Sequence, residues 1–180
     1  EQTWSQFDQA AESLNGAERS LIEAERSVLS ARKQLIDTIG PELGFGTIVG
    51  DAIEEPVLLI KTCWGGKSIM VDFRPPSSGM PPKAMMEKIL KGMQRREPKA
   101  TKKNVEAKVG FYYREMLSGV AQTLKDLKKY YPAYDGKGYE MVGFGWHQGW
   151  NDGGNMDNVN AYEQNLANLI KDIRKEWETP

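Results

Sequence analysis

Two short stretches of this 180-residue chain contain residue types that acyl-transfer chemistry uses. The first holds Gly65 and Gly66, whose backbone N–H groups can approach a ligand because no Cβ stands in the way. The second runs from His147 to Asp152 and contains the side-chain amides of Gln148 and Asn151. N–H donors of both kinds can stabilise the negative charge that develops on an oxygen atom during acyl transfer. The two stretches are therefore candidates for an oxyanion hole.

Tryptophan side chains beside the same stretches suggest a carbohydrate ligand, because an indole ring can stack on a sugar ring. They are Trp64, Trp146 and Trp150. We also expect the imidazole of His147 and the carboxylate of Asp152 to contact such a substrate. The sequence thus predicts one polar, aromatic site for a sugar ester.

Two other interpretations of the second stretch are open on the sequence alone. In the first, its residues are structural: the amides hold the loop together, His147 is a partly buried histidine, and Asp152 caps the following turn. In the second, the oxygen atoms of Asn151, Asp152, Asn155 and Asp157 bind calcium. The spacing of these four residues differs from that of an EF-hand loop, so calcium is the weaker prediction.

Each stretch follows a segment that we predict to be a buried β-strand. Val57 to Ile60 is a continuous apolar run, and Tyr139 to Trp146 reads as a second strand. Apolar periodicity predicts helices over about 41–53, 83–93, 111–130 and 158–177. This order predicts an α/β fold with parallel strands, whose right-handed crossovers bring both stretches to the ligand-binding edge of the sheet. Two strands are too few for a stable sheet, so we expect this one to be incomplete.

Residues 1–38 differ from the rest, because apolar residues recur there every seven positions. The large ones are Phe7, Leu14, Leu21, Val28 and Leu35, and alanines recur between them. This pattern predicts a long coiled-coil-like helix that mediates self-association or binds a partner helix. The alternatives are a helix lying against its own domain and one half of a helical hairpin whose other half lies elsewhere. Residues 39–180 then form the α/β domain, with a lysine-rich insertion at about 80–108.

Composition and charge exclude several classes of function. With 24 basic and 25 acidic residues, the overall charge favours neither nucleic acid nor a membrane surface as a partner. One cysteine and one histidine exclude a disulfide framework, a multi-cysteine zinc site and a histidine-rich metal cluster, so we predict no metal and no cofactor. The lysine-rich stretch reads either as an anion-binding patch or, as we prefer, as a solvated helix followed by a mobile loop.

Three blocks of the sequence resemble successive blocks of the sialate O-acetylesterase-like family, a carbohydrate-esterase branch of the SGNH hydrolases. They are 40–46 (GPELGFG), 59–68 (LIKTCWGGKS) and 145–152 (GWHQGWND). Two further stretches, 72–79 (DFRPPSSG) and 162–166 (YEQNL), look like those of bacterial members. The resemblance covers about 39–180, with the lysine-rich stretch as an insertion.

The resemblance implies a flavodoxin-like, three-layer α/β/α fold and hydrolysis of acetyl esters on sugars such as sialate. A serine nucleophile and a histidine base held by an aspartate are implied. On this alignment Gly65-Gly66 supply a backbone donor, and Gln148 is the amide donor with Asn151 as the alternative. Exported bacterial members imply a periplasmic or extracellular setting, which no residue of this chain shows.

The chain departs from the family pattern at the two blocks that carry the nucleophile and the base. We find no Gly-Gln-Ser-Asn-like block upstream of residue 40 and no Asp-x-x-His block after the last helix. Ser68, Ser77 and Ser78 lie in other blocks, and neither nucleophile nor base can be assigned. Two hypotheses follow: a carbohydrate O-acetylesterase, or a non-catalytic derivative that binds a carbohydrate and assembles through the N-terminal helix.

Overall fold

The structure is a computed structural model that describes residues 40–178. The chain divides into two compact units, 1–61 and 62–180, and each is described by itself. The predicted heptad helix at 1–38 lies outside the described residues, so coiled-coil formation and self-association stay predictions. Among the described helices, none is long and apolar enough to cross a membrane.

The described part of the first unit contains helix α1, Glu42–Ala52. Pro41 precedes it with a φ of −60°, a value that suits the start of a helix. The helix ends where Ile53 becomes extended, three residues before Pro56. The Lys61 ammonium forms an ion pair with the Glu42 carboxylate, and this hydrogen-bonded contact lowers the pKa of Glu42. The helix predicted after Pro41 is therefore confirmed.

The second unit is helical. Its α-helices are α2 (Lys83–Gln94), α3 (Lys102–Lys108), α4 (Phe111–Lys125), α5 (Leu127–Tyr130) and α6 (Met156–Glu176). A short 3-10 helix spans Pro76–Ser78. The helices predicted at 83–93, 111–130 and 158–177 are confirmed, although the second of them is divided at Asp126. The loop predicted after residue 93 is in part wrong, because residues 102–108 form α3.

Helices α4 and α6 face the main core with residues spaced three and four apart, as the helical repeat requires. Its buried members are Ile69, Tyr113, Met116, Leu169 and Ile173. A second, smaller cluster joins α2 to α3. Its buried members are Met86, Val105 and Val109, and Val71 packs against them. Both clusters thus contact the short segment 69–71, which ties them to the same stretch of chain.

The predicted α/β fold is wrong for the residues that the structure describes, because 40–178 contain helices and no strand. Neither Val57 to Ile60 nor Tyr139 to Trp146 is a strand. A strand exists only where a neighbour satisfies its backbone N–H and C=O groups, and an apolar run cannot specify that neighbour. Val142 is 82% exposed, which also contradicts the predicted burial on both faces. The predicted flavodoxin-like, three-layer α/β/α fold is wrong for the described residues for the same reason.

Candidate functional site

The site is built on a closed turn at residues 68–73. The Ser68 carbonyl accepts hydrogen bonds from the backbone N–H groups of Asp72 (3.1 Å) and Phe73 (2.9 Å). The Asp72 carboxylate in turn accepts from the Ser68 N–H and from the Ser68 hydroxyl, both at 3.0 Å. The same hydroxyl oxygen accepts from the Val71 N–H at 3.2 Å. Ser68 is therefore a buried structural residue whose hydroxyl both donates and accepts a hydrogen bond inside the turn.

Asp152 connects this turn to the second stretch. Its side chain is buried, with 1% of the residue exposed. One carboxylate oxygen accepts from the Ile69 N–H at 2.9 Å, and the other accepts from the Met70 N–H at 3.2 Å. Hydrogen bonds to an ionised acceptor are stronger than neutral ones. Asp152 thus holds two consecutive backbone donors, and the distant loop is fixed against residues 68–73.

Gln148 makes the second connection. Its amide nitrogen donates to the Asp152 carboxylate at 2.7 Å and to the Lys67 carbonyl at 2.9 Å. An amide nitrogen carries two hydrogen atoms, so both donors of Gln148 are used inside the protein. The Tyr162 hydroxyl donates to the Gln148 carbonyl at 2.6 Å and accepts from the Trp146 indole N–H at 3.3 Å. We call the bonded pair of Gln148 and Asp152 the clamp.

The clamp brings together the two stretches that the sequence analysis singled out. The sequence predicted that a sheet edge would do this, whereas two polar side chains do it in the described structure. The contacts of Gln148 and Asp152 lie within the protein, as the structural interpretation expected, but Asp152 caps the turn at 68–73 and not the turn that follows it. The predicted contact of Asp152 with a substrate has no geometric support, because both of its oxygen atoms face backbone donors.

The remaining polar members of the second stretch face solvent. A tight turn at 149–153 follows Gln148 and includes Asp152, whose N–H is bonded to the Gly149 carbonyl at 3.1 Å. Trp150 is 97% exposed at its tip, and Asn151 and His147 are exposed as well. Within residues 40–178, the Asn151 side chain has no hydrogen-bond partner. Asn151 therefore keeps the free amide donor that Gln148 lacks.

Gly65 and Gly66 are exposed and lie in open space. Gly66 has a φ of +67°, the left-handed region that favours glycine. Apart from the glycine itself and its two chain neighbours, no heavy atom lies within 4 Å of the position that a Cβ would occupy on either residue. Among the described residues, no acceptor pairs with either backbone N–H group. Both N–H groups are thus accessible to a ligand, as an oxyanion donor must be.

The tryptophans divide into two groups. Trp64 belongs to an aromatic cluster, with its ring centre 5.2 Å from that of Tyr112 and 5.9 Å from that of Phe73. Trp146 packs edge-on against Phe73 at 5.2 Å. Both indoles therefore pack against the main core, beneath the loops that the two stretches form. Trp150 alone of the three is exposed enough to stack on a sugar ring.

Lys67 and Tyr112 are neighbours of the site that the sequence analysis missed. The Lys67 ammonium lies 4.4 Å above the centre of the Tyr112 ring. Its interaction with the Tyr112 side chain raises the pKa of Lys67. The residues stand 45 positions apart in the sequence, and no local pattern links them. Lys67 places a positive charge directly after the Gly65-Gly66 turn.

None of the described serines forms a hydrogen bond with His147. Ser77 donates to the Asp172 carboxylate of α6 through its backbone N–H at 2.8 Å and also through its hydroxyl. The Ser78 hydroxyl accepts from the Asn168 amide at 3.0 Å. These bonds fix the loop at 74–79 to α6 and give neither serine a base. Among residues 40–178, no three His, Cys, Asp or Glu side chains are grouped as metal ligands, so calcium gains no support.

A comparison with protein families decides the class of this chain. The family model described as carbohydrate esterase, sialic acid-specific acetylesterase matches residues 5–180. The chain belongs to this family. The resemblance found in the three sequence blocks is thereby confirmed, and the match also extends over most of the heptad segment. No curated protein and no solved structure matches the chain.

Family membership supports a carbohydrate esterase in general terms. Such an enzyme needs donors for the oxyanion and a surface for the sugar, and the exposed groups of the two loops are of these types. The nucleophile and the base are unassigned in the described residues. The roles of the individual residues are therefore taken up below as proposals.

Proposed function

We propose that the chain acts as a carbohydrate O-acetylesterase, which hydrolyses acetyl esters on sugars such as sialate to acetate and the free sugar hydroxyl. The family match supports the esterase class. The arrangement of the two loops supports the assignment of roles within it. The observation that carries the proposal is the contrast between two neighbouring amides, one fully bonded and one free.

In this proposal the backbone N–H groups of Gly65 and Gly66 and the side-chain amide of Asn151 are the oxyanion donors. They stabilise the charge on the carbonyl oxygen when the acetyl group becomes tetrahedral. Gln148 has no hydrogen left for this task, because it donates to Lys67 and Asp152. Gln148 and Asp152 instead position the donors by holding the loops together.

Trp150 is the proposed surface for the sugar ring. Its indole is exposed at the tip of the 149–153 turn, next to Asn151, so a stacked sugar would place its substituents near the donor. His147 is an exposed polar group on the same loop and is proposed to contact sugar hydroxyls. Trp64 acts indirectly, by packing beneath the loops. Asp152 also acts indirectly, by capping the turn at 68–73.

The experiment compares acetate release from 4-nitrophenyl acetate and from O-acetylated sialic acid by the chain and its Asn151→Ala variant. Removing one oxyanion donor lowers kcat by about 100-fold or more. The matched control is Asn160→Ala, which truncates an exposed asparagine of α6 and leaves kcat unchanged. Absence of acetate release by the unaltered chain, or equal losses in the two variants, overturns the proposal.

A second candidate is a non-catalytic derivative that binds an acetylated carbohydrate and assembles through its N-terminal helix. It is favoured by the lack of a described serine paired with His147. The heptad pattern at 1–38 predicts self-association, which Leu21→Asp abolishes by placing a charge in the apolar seam. Sedimentation of the two proteins checks this, and unchanged sedimentation contradicts it.

A further inference from the structure

Helices α2 and α3 and the loop between them are rich in cationic residues. Residues 80–108 contain nine Lys or Arg and three Glu, a net charge of +6 in a chain whose net charge is −1. We call the nine cationic residues the basic face. They are Lys83, Lys88, Lys91, Arg95, Arg96, Lys99, Lys102, Lys103 and Lys108.

The basic face is exposed and largely without anionic partners. All nine side chains belong to exposed residues. Within the described part of the chain, one of the nine forms an ion pair: the Lys102 ammonium lies 3.5 Å from the Glu106 carboxylate. Exposed pairs of this kind contribute little to stability. The cationic charge is therefore not explained by the fold and is accessible to an external anion.

The orientation of α2 follows from its apolar residues. Met86, Leu90 and Met93 pack in the cluster with Val105 and Val109, so the apolar side of the helix is already covered. At about 100° per residue, Lys88, Lys91 and Arg95 fall on one side of the helix line, away from that cluster. The fold thus leaves a row of three exposed cations on α2 for a ligand that needs no apolar contact.

The chemistry of the basic face distinguishes three kinds of polyanion. Residues 80–108 contain no aromatic residue, so the surface lacks the stacking platforms that single-stranded nucleic acids use. Its apolar side is occupied, so α2 has no free face to insert into a bilayer. A polysaccharide with regularly spaced carboxylates requires neither feature. It requires only a row of exposed cations.

We infer that the basic face binds an anionic, carboxylate-bearing polysaccharide and holds it while the loops act on its acetyl esters. The inference takes the carbohydrate nature of the ligand from the proposed function. It deepens that proposal by naming an acidic polymer as the substrate class and the basic face as its docking surface.

The basic face is attached to the site through the turn at 68–73. Val71 packs in the cluster that joins α2 to α3, and its carbonyl accepts from the Gly110 N–H at 2.8 Å. The Asp72 carbonyl accepts from the Tyr112 N–H at 3.0 Å. This is the turn that Asp152 caps. A chain bound on α2 and α3 therefore lies on the same unit as the loops, with Lys67 as a further cation beside Gly66.

The test measures binding of polygalacturonate, a polymer of carboxylated sugars, to the full chain. The variant replaces three cations of one helical side, Lys88→Gln, Lys91→Gln and Arg95→Gln. The matched control changes three exposed lysines elsewhere in the second unit by the same charge, Lys125→Gln, Lys171→Gln and Lys175→Gln. We expect the variant to bind roughly tenfold or more weakly and the control to bind as the unaltered chain does. Affinity should also fall as salt rises from about 50 to about 200 mM.

Several outcomes overturn the inference. They are equal losses in variant and control, no binding of polygalacturonate, or tighter binding of double-stranded DNA or of phosphatidylserine vesicles than of polygalacturonate. Hydrolysis of 4-nitrophenyl acetate separates this inference from the proposed function. The small neutral ester does not need the basic face, so its hydrolysis stays unchanged in the variant. Failure of the unaltered chain to hydrolyse it counts against the proposed function alone.

Discussion

The loops at 64–68 and 147–152, which the clamp joins, differ from the basic face in whether their polar side chains are paired within the protein. In the loops, the buried carboxylate of Asp152 and the amide of Gln148 form hydrogen bonds with other parts of the protein. On the basic face, eight of the nine cations have no ion pair among the described residues. A polar group whose hydrogen-bond partners lie within the protein stabilises the fold. One that the protein leaves unsatisfied at its surface is a candidate for binding.

The same distinction holds between two cations of the second unit. Arg74 is buried, and its guanidinium donates to the carbonyls of Gly79 (2.7 Å), Ser78 (2.9 Å) and Met70 (3.1 Å). Burial lowers the pKa of Arg74, and these three carbonyls supply acceptors for its buried guanidinium. Arg95 of the basic face is exposed and has no such partners among the described residues. Arg74 shapes the 74–79 loop, whereas Arg95 is accessible to a ligand.

The largest effect on stability is expected for Asp152→Ala. The substitution leaves the buried N–H groups of Ile69 and Met70 without their acceptor, and each hydrogen bond to a charged group contributes about 1.5–3 kcal/mol. We expect the free energy of unfolding to fall by about 3 kcal/mol or more in urea titrations. Asp157→Ala, at the exposed first turn of α6, is the control and should cost less than about 1 kcal/mol. A loss for Asp152→Ala no larger than for the control would break the comparison.

An intermediate effect is expected from pH, through the buried Tyr113. Burial raises its pKa from the ordinary 10 to about 12, with the nearby Asp172 and Glu176 adding to the shift. The folded state therefore holds the proton more tightly than the unfolded state. The contribution of Tyr113 to the free energy of unfolding is complete below pH 10. It falls by roughly 2 kcal/mol as pH rises from about 10 to about 12. Tyr113→Phe should show a smaller loss of unfolding free energy over this range, and an identical profile would contradict this assignment.

The smallest effect is expected when the basic face loses three charges. Lys88→Gln, Lys91→Gln and Arg95→Gln together should change the free energy of unfolding by less than about 0.5 kcal/mol per site, because exposed substitutions away from packed groups rarely do more. Thermal or urea unfolding of this variant checks the prediction. Strong destabilisation would mean that these cations stabilise the folded state, as the polar groups of the loops do, and would contradict the comparison.

The sequence predicted the helices well, because helices are local. The apolar spacing of Tyr113, Met116 and Val120 is visible in the printed chain and defines the buried side of α4. The strands failed for the opposite reason. Val57 to Ile60 has the composition of a strand, but a strand also needs a partner that no local pattern provides.

The sequence predicted that the two candidate stretches lie together, while the roles of their residues stay predictions. Composition alone pointed to the stretches around Gly66 and Asn151, and the structure brings the two stretches together. The difference in hydrogen bonding between Gln148 and Asn151 could not be predicted, because it depends on the positions of Lys67 and Asp152 relative to one amide. The contact between Lys67 and Tyr112 was missed because it joins residues far apart in the chain.

The central claim is that Gln148 positions the loops and Asn151 acts on the substrate. The most direct measurement is kcat for acetate release, together with the free energy of unfolding, in Gln148→Ala and Asn151→Ala. The account predicts that Asn151→Ala lowers kcat by about 100-fold at unchanged stability. It predicts that Gln148→Ala lowers the free energy of unfolding by about 1–3 kcal/mol, since the clamp is broken. A stable Gln148→Ala protein with the greater loss of kcat, beside a fully active Asn151→Ala protein, would contradict it.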